Sequence, residues 1–196
     1  ASHITFMARQ ARGLVSLALT EERCEQLSLA PMVDPATSGS VKLSIEASTG
    51  IDTGISAVDR ARTVRVAVAS DAKPSDLVQP GHIFPVATLA GGVLIRTGAA
   101  EAGVDLATLA GLTPAAAFAE VLDAHGDLAD AAALVEFADQ HDLKVGRVTD
   151  LVDYRLNHSR TVEVIRRGAV PTQHGEFLLR VYRESTQGHI HLALSR

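Results

Sequence analysis

Four stretches of the 196-residue chain carry side chains suited to chemistry. In Gln79-Pro80-Gly81-His82-Ile83-Phe84-Pro85, proline and glycine fix a turn that can aim His82, and an imidazole suits proton transfer near neutral pH. For an isolated Pro-Gly-His the simpler reading is a turn whose histidine merely caps a loop. In Gly91-Gly92-Val93-Leu94-Ile95-Arg96-Thr97-Gly98, the glycines let backbone N–H groups approach an anion, and Arg96 can fork onto phosphate oxygens. No Gly-Lys-Ser/Thr follows, so this is not a nucleotide-binding P-loop, and a plain hairpin turn is the simpler reading. Glu120 is an acid inside an otherwise apolar run. A carboxylate there is costly unless paired or solvated, so it is either an acid/base group or a helical residue facing water. In Thr53-Gly54-Ile55-Ser56-Ala57-Val58-Asp59-Arg60-Ala61, Thr53 and Ser56 are helix-capping types, and Asp59 falls where the helix dipole favours acids.

These groups need elements to hold them. Residues 3–12 repeat apolar side chains at helical spacing up to Gly13, and 14–19 is a short apolar run with the length of a buried strand. Thr20 is a candidate N-cap for a helix to about Leu29, and Pro31 ends it. Residues 34–40 read as a turn-rich loop, and 41–47 alternate apolar and polar like a half-buried strand. A helix is expected over 56–69, with Val58, Ala61, Val64 and Val68 on one face, followed by a polar loop over 71–81. Residues 83–89 and 93–95 read as two strands around Gly91-Gly92. Helices are expected over 101–110, over 130–141 with Leu134, Phe137 and Ala138 inward, and over 149–157, with a strand over 145–148. The stretch 114–122 is helical by propensity, yet Pro114 and His125-Gly126 bracket it like a short strand. Beyond it, 158–168 reads as a basic helix, and 177–182 and 189–194 as strands. Strands and helices mix without strict alternation, which favours an α+β sandwich with a mixed sheet over a doubly wound parallel one.

Order and spacing then join the motifs. Thr53 to Ala61, Asp71-Ala72-Lys73-Pro74-Ser75-Asp76, Pro80 to Pro85, Gly91-Gly92-Val93-Leu94 and Glu101 to Gly111 resemble consecutive blocks of the 3,4-dihydroxy-2-butanone 4-phosphate synthase family of riboflavin biosynthesis. The likeness runs from Phe6-Met7-Ala8-Arg9 to Tyr154-Arg155. The resemblance implies an α+β sandwich, a lyase converting ribulose 5-phosphate to 3,4-dihydroxy-2-butanone 4-phosphate and formate, Mg²⁺ or Mn²⁺ as cofactor, and a homodimer. It puts His82 and Glu120 at the acid/base positions, and Arg96, Thr97 and Gly98 in the phosphate loop. Glu120 also contacts the substrate there, and its segment is a strand.

The departures from that pattern are specific. The family's Gly-His-Thr-Glu-Ala block reads Gly98-Ala99-Ala100-Glu101-Ala102, so Ala99 stands where the family has a metal-binding histidine and Ala100 where a threonine helps hold phosphate. Ala119 replaces a cysteine before the essential glutamate, and the family's acidic metal-binding loop would precede Ala1. The expectation is a synthase-like protein with an impaired metal site. The alternatives are an inactive homologue that binds a phosphosugar or a partner chain, or a diverged phosphosugar enzyme. The tail from Pro171 to Phe177, with Tyr182-Arg183 and His191 to Leu194, resembles the opening strands of GTP cyclohydrolase II, short of its zinc cysteines. Residues 1–157 are therefore expected to form the synthase-like domain and 158–196 a linker with truncated cyclohydrolase-like strands.

Composition bounds the partners. A formal net charge of -5 gives no electrostatic footprint for nucleic acid, while a small phosphosugar needs only one local arginine. A hydrophobic share of 46% supports a sizeable core, and no apolar run is long enough to span a bilayer. The single cysteine, Cys24, excludes an internal disulfide and favours a reducing compartment, so the cytoplasm is expected.

Overall fold

The computed structural model describes residues 1–32, 40–184 and 188–196; the loop expected over 34–40 lies outside them but for Ser40. Among the described residues a four-stranded mixed sheet is ordered β2-β3-β1-β4, comprising β1 (Ser16–Thr20), β2 (Ile45–Ala47), β3 (Leu77–Thr88) and β4 (Ala115–Phe118). β1 and β3 are parallel, while β2 pairs antiparallel with β3 and β4 antiparallel with β1.

Alternation along β1 sorts the two faces. Leu17 and Leu19 point into a core shared with α1 (Ser2–Phe6), α2 (Glu21–Gln26) and α3 (Ala57–Val68), through Ile4, Cys24, Ala61 and Ala67. Ala18 points the other way, onto Ala100 and Val104 of α4 (Ala99–Leu109), with Val86, Ala116 and Phe118 around them. Small side chains let α4 lie close: a Cβ on Gly103 would come within 2.8 Å of the Ala116 Cβ. The result is the α+β sandwich expected from the sequence, with helices on both faces of a mixed sheet.

Local chemistry explains most element ends. The Thr20 hydroxyl accepts from Arg23 N at 3.2 Å, and the Ser56 hydroxyl from Asp59 N at 3.0 Å, so both expected caps form. α1 continues as a wider π turn over Met7–Ala11, and Arg12, at φ 67°, rather than Gly13, takes the left-handed position that ends it. The 114–122 conflict resolves as strand β4, because its backbone completes the edge of the sheet against β1.

Several expectations differ from what forms. α2 stops at Gln26, before Leu29. Only Ile45–Ala47 of the 41–47 run is strand, since Val41 meets β3 by an isolated bridge to Val86 and Lys42 bridges to Pro31. The expected loop over 71–81 ends early, because Leu77 begins β3. Gly92–Leu94 is a 3₁₀ turn rather than a strand, with Gly92 at φ 59° and Val93 N donating to the Asp105 carboxylate at 3.0 Å. Val58 is 64% exposed: Asp59, Thr63 and Ala67 take the inner face of α3 with Ala61. Leu134 is 39% exposed on α5 (Ala131–Gln140), where Ala138 is the buried anchor. Residues 145–147 form no strand, and α6 spans Val148–His158.

The expected helix over 158–168 is strand β5 (Val162–Thr172), paired antiparallel with β6 (Gly175–Glu184), which also pairs with β7 (Ile190–Ser195). β-Branched Val162, Val164 and Ile165 suit a pleated surface, and the hairpin turns on Gln173 and His174 with Gly175 at φ 110°. Ladder pairing overrides the charge pattern that suggests a helix.

Candidate active site

The His82 region is a wide bulge. Glu46 and Ile45 are adjacent on β2, yet their partners on β3 are Val78 and Ile83, so Gln79-Pro80-Gly81-His82 loop out between them. Gly81 is the point of closest approach: a Cβ there would lie 2.2 Å from the Ile45 carbonyl, and Gly81 N donates to the Ser44 hydroxyl at 3.1 Å. Ile83 and Ile45 are buried in the α3-side core, so His82 and Glu46 face the α4 side. They meet there, His82 Nδ1 lying 3.1 Å from Glu46 Oε1, with the histidine side chain 39% exposed and the glutamate 16%. Sequence alternation marks Glu46 only as an outward strand residue; its partner is set by the register of β2 on β3.

A loop closes over Glu46. Gly54, at φ 78°, lies so near that a Cβ would stand 1.7 Å from Glu46 Oε1. The loop is fastened by Asp59, whose carboxylate accepts from Gly54 N at 3.0 Å and Asp52 N at 3.5 Å. Burial raises the Asp59 carboxyl, but hydrogen bonds from Ser56, Gly54, Asp52 and Thr53 outweigh it and hold it below its ordinary value.

The other motif residues approach the same end of the sheet. The β1 register pairs Ser16 with both Phe84 and Phe118. Alternation carried two residues further along β3 puts His82 on the α4 face, while Glu120 follows the end of β4 on the other side of β1, roughly two strand spacings away. Glu120 is exposed just past β4, and its backbone packs on Gly13, where a Cβ would meet the Glu120 carbonyl at 2.2 Å. α4 runs toward this end with its N-terminus, since Val104 to Leu109 line a cavity beside Thr88 at the far end. Gly98 is its N-cap and supplies no side-chain cap, so the first-turn N–H groups are left to other acceptors.

Arg96 is committed within the chain. Its Nε donates to Glu101 Oε1 at 2.8 Å, its Nη2 to the Ala87 carbonyl at 3.0 Å, and Nη2 also pairs with Glu101, which is 1% exposed. Thr97 is exposed beside it. Ala100 is buried in the cluster where α4 packs on Ala18; Ala99 is exposed.

The cavity beside Thr88, about 400 Å³, is lined by Thr20, Asp105, Arg155 and Ser159 among others. Six residues along β3, or roughly 20 Å, separate Thr88 from His82, so this cavity and the histidine are distinct places. Within the cavity Arg155 and Asp105 are already paired, Arg155 Nη1 donating to Asp105 Oδ1 at 2.5 Å.

The residues present do not fit a divalent cation. Ala99 offers no donor atom, Glu101 is spent on Arg96 and His82 on Glu46, and among the described residues no three His, Cys, Asp or Glu side chains cluster for a metal.

Fold and site together define an α+β sandwich with a histidine–carboxylate pair beside a mixed sheet. The chain belongs to the 3,4-dihydroxy-2-butanone 4-phosphate synthase family, whose sequence profile matches residues 1–154. It is 48% identical over 199 residues to the 3,4-dihydroxy-2-butanone 4-phosphate synthase of Pseudomonas syringae pv. tomato, covering 99% of this chain and 53% of that protein. The crystal structure of RibBX, a two-domain 3,4-dihydroxy-2-butanone 4-phosphate synthase from A. baumannii, superposes with TM-score 0.85 at 48% identity, over 100% of this chain and 58% of that one. A 3,4-dihydroxy-2-butanone 4-phosphate synthase solved with two magnesium ions matches with TM-score 0.74 at 36% identity, over 80% of each chain. The chain thus spans about half the length of the curated relatives it matches.

Proposed function

We propose that the chain carries the family's phosphosugar chemistry, taking ribulose 5-phosphate to 3,4-dihydroxy-2-butanone 4-phosphate and formate. The observation that supports this reading is the register that brings the chain beyond Phe84, toward His82, and beyond Phe118, toward Glu120, to the same end of the sheet. Forming an enediol and shifting the carbon skeleton require protons to leave and return at sugar carbons and oxygens. His82 and Glu120, on the two chain segments that flank β1, are the groups assigned to those transfers. The phosphate is assigned to the first turn of α4, where backbone N–H groups and the helix dipole favour an anion. Thr97 and Gly98 shape that loop, and Arg96, neutralised by Glu101, braces it. No step is assigned to a metal, because Ala99 leaves the family's histidine position without a ligand.

Residues 1–157 act as the synthase-like unit in this reading. Residues 158–196 form the linker and strands whose sequence resembles the opening of GTP cyclohydrolase II. Self-association as a homodimer accords with exposed Leu106, Leu109 and Leu112 next to the edge strand β4. A cytoplasmic setting accords with the lone buried thiol. Among the described residues no helix is long and apolar enough to cross a membrane.

The test is to incubate the full chain with ribulose 5-phosphate, with and without Mg²⁺, and to measure formate. The reading requires formate from the wild type and its loss in His82→Asn and Glu120→Gln. Binding of the sugar phosphate with no formate under either condition would leave a phosphosugar-binding homologue instead.

A further inference from the structure

We propose that Glu46 is the positioning residue for His82, fixing the imidazole with its proton on Nδ1 and its lone pair on Nε2 turned to the substrate. This rests on the reading of His82 as an acid/base group. A carboxylate only accepts hydrogen bonds, so at 3.1 Å from Glu46 Oε1 the Nδ1 atom must be the donor. In a neutral ring Nε2 is then the acceptor, and it is the nitrogen left to take a proton from the sugar.

Three features keep the pair in register. The antiparallel register that pairs Ile45 with Ile83 turns Glu46 and His82 to the same face, and Gly81 lets the bulged β3 backbone close against β2. Gly54 covers Glu46 so tightly that no larger residue fits, which limits the carboxylate's movement. Asp59 fastens the Gly54 loop through the Gly54 and Asp52 amides. The arrangement has the logic of a base oriented by a buried acid: the acid sets tautomer and ring direction and takes no proton itself. Glu46 is accordingly not assigned to the substrate, and its effect runs through His82.

The side-chain ¹⁵N spectrum of His82, assigned by its loss in His82→Gln, reads the tautomer directly. The wild type should show the proton on Nδ1. Glu46→Ala should shift the ring toward a tautomer mixture, and Glu46→Gln, whose amide oxygen still accepts, should restore Nδ1–H. Gly54→Ala, which drives the Glu46 carboxylate aside while leaving the residue in place, should reproduce the Glu46→Ala spectrum. If the chain turns over, Glu46→Ala should lower kcat by about 10–100-fold with little change in KM. An unchanged His82 tautomer in folded Glu46→Ala or Gly54→Ala protein overturns the proposal. The Nδ1–H signature in a chain that releases no formate would instead refute the acid/base reading of His82 and leave the pairing standing.

Discussion

Asp105 and Arg155 meet across fifty residues of sequence, with Arg155 Nη1 2.5 Å from Asp105 Oδ1. The pair links α4 to α6, and the other Asp105 oxygen accepts from Val93 N at 3.0 Å, locking the turn that leads to Arg96. Gly92 makes room for it, since a Cβ there would lie 2.3 Å from Asp105 Oδ1. Asp105→Ala would leave Arg155 and the Val93 amide without their acceptor in a mostly buried place. It should destabilise the fold by about 3–5 kcal/mol, read as a lower urea midpoint with an unchanged m-value. A midpoint equal to wild type would show that the link does not hold α6.

Gly81 governs the bulge that presents His82. Gly81→Ala forces a Cβ to 2.2 Å from the Ile45 carbonyl, a backbone atom that cannot swing away. The variant should lose about 1–3 kcal/mol in thermal unfolding, the usual cost of overpacking, and any activity that depends on His82 should fall further than stability does.

The Asp59 carboxyl sits below its ordinary value of 3.8 because Ser56 and the loop amides outweigh its burial. A lowered folded-state value means that its contribution to stability is present above pH 3.8 and is lost as pH falls through the lower, folded value. Asp59→Asn should therefore flatten the acid limb of the stability–pH curve measured by denaturation between about pH 5 and 2. An unchanged acid limb would show that the Asp52–Gly54 loop is held by other groups.

Burial pushes the Cys24 thiol up to about 11, with Lys42 opposing and Glu21 and Glu25 adding to the shift. The thiolate is the reactive form, so a disulfide reagent at pH 8 should label folded protein far more slowly than unfolded protein. Labelling at the rate of the unfolded chain would place Cys24 outside the core.

Much of this was legible in the residues. The Thr20 and Ser56 caps, the α4 helix ended near Gly111 and the β6 and β7 strands follow from capping types and periodicity, which are local properties. What was not legible is non-local. The β3 bulge depends on a mismatch between two strands, and Glu46 acquires meaning only through the register that sets it beside His82. The 158–168 segment has the charges of a helix and becomes a strand because β6 offers ten paired positions, Thr172↔Gly175 among them. Ala100 looks like a plain loss of a polar group in sequence; in the fold it is also the methyl on which α4 meets Ala18.

The most direct test of the central claim is a titration of ¹⁵N-labelled full-length chain with ribulose 5-phosphate, followed by amide shifts. If the phosphosugar site is where His82, Gly98 and Glu120 converge, those amides and Ala99 should shift together and saturably, while Thr20, Thr88 and Arg155 stay still. Shifts confined to Thr20, Thr88 and Arg155 would put the ligand in the cavity at the opposite end of the sheet and contradict the account.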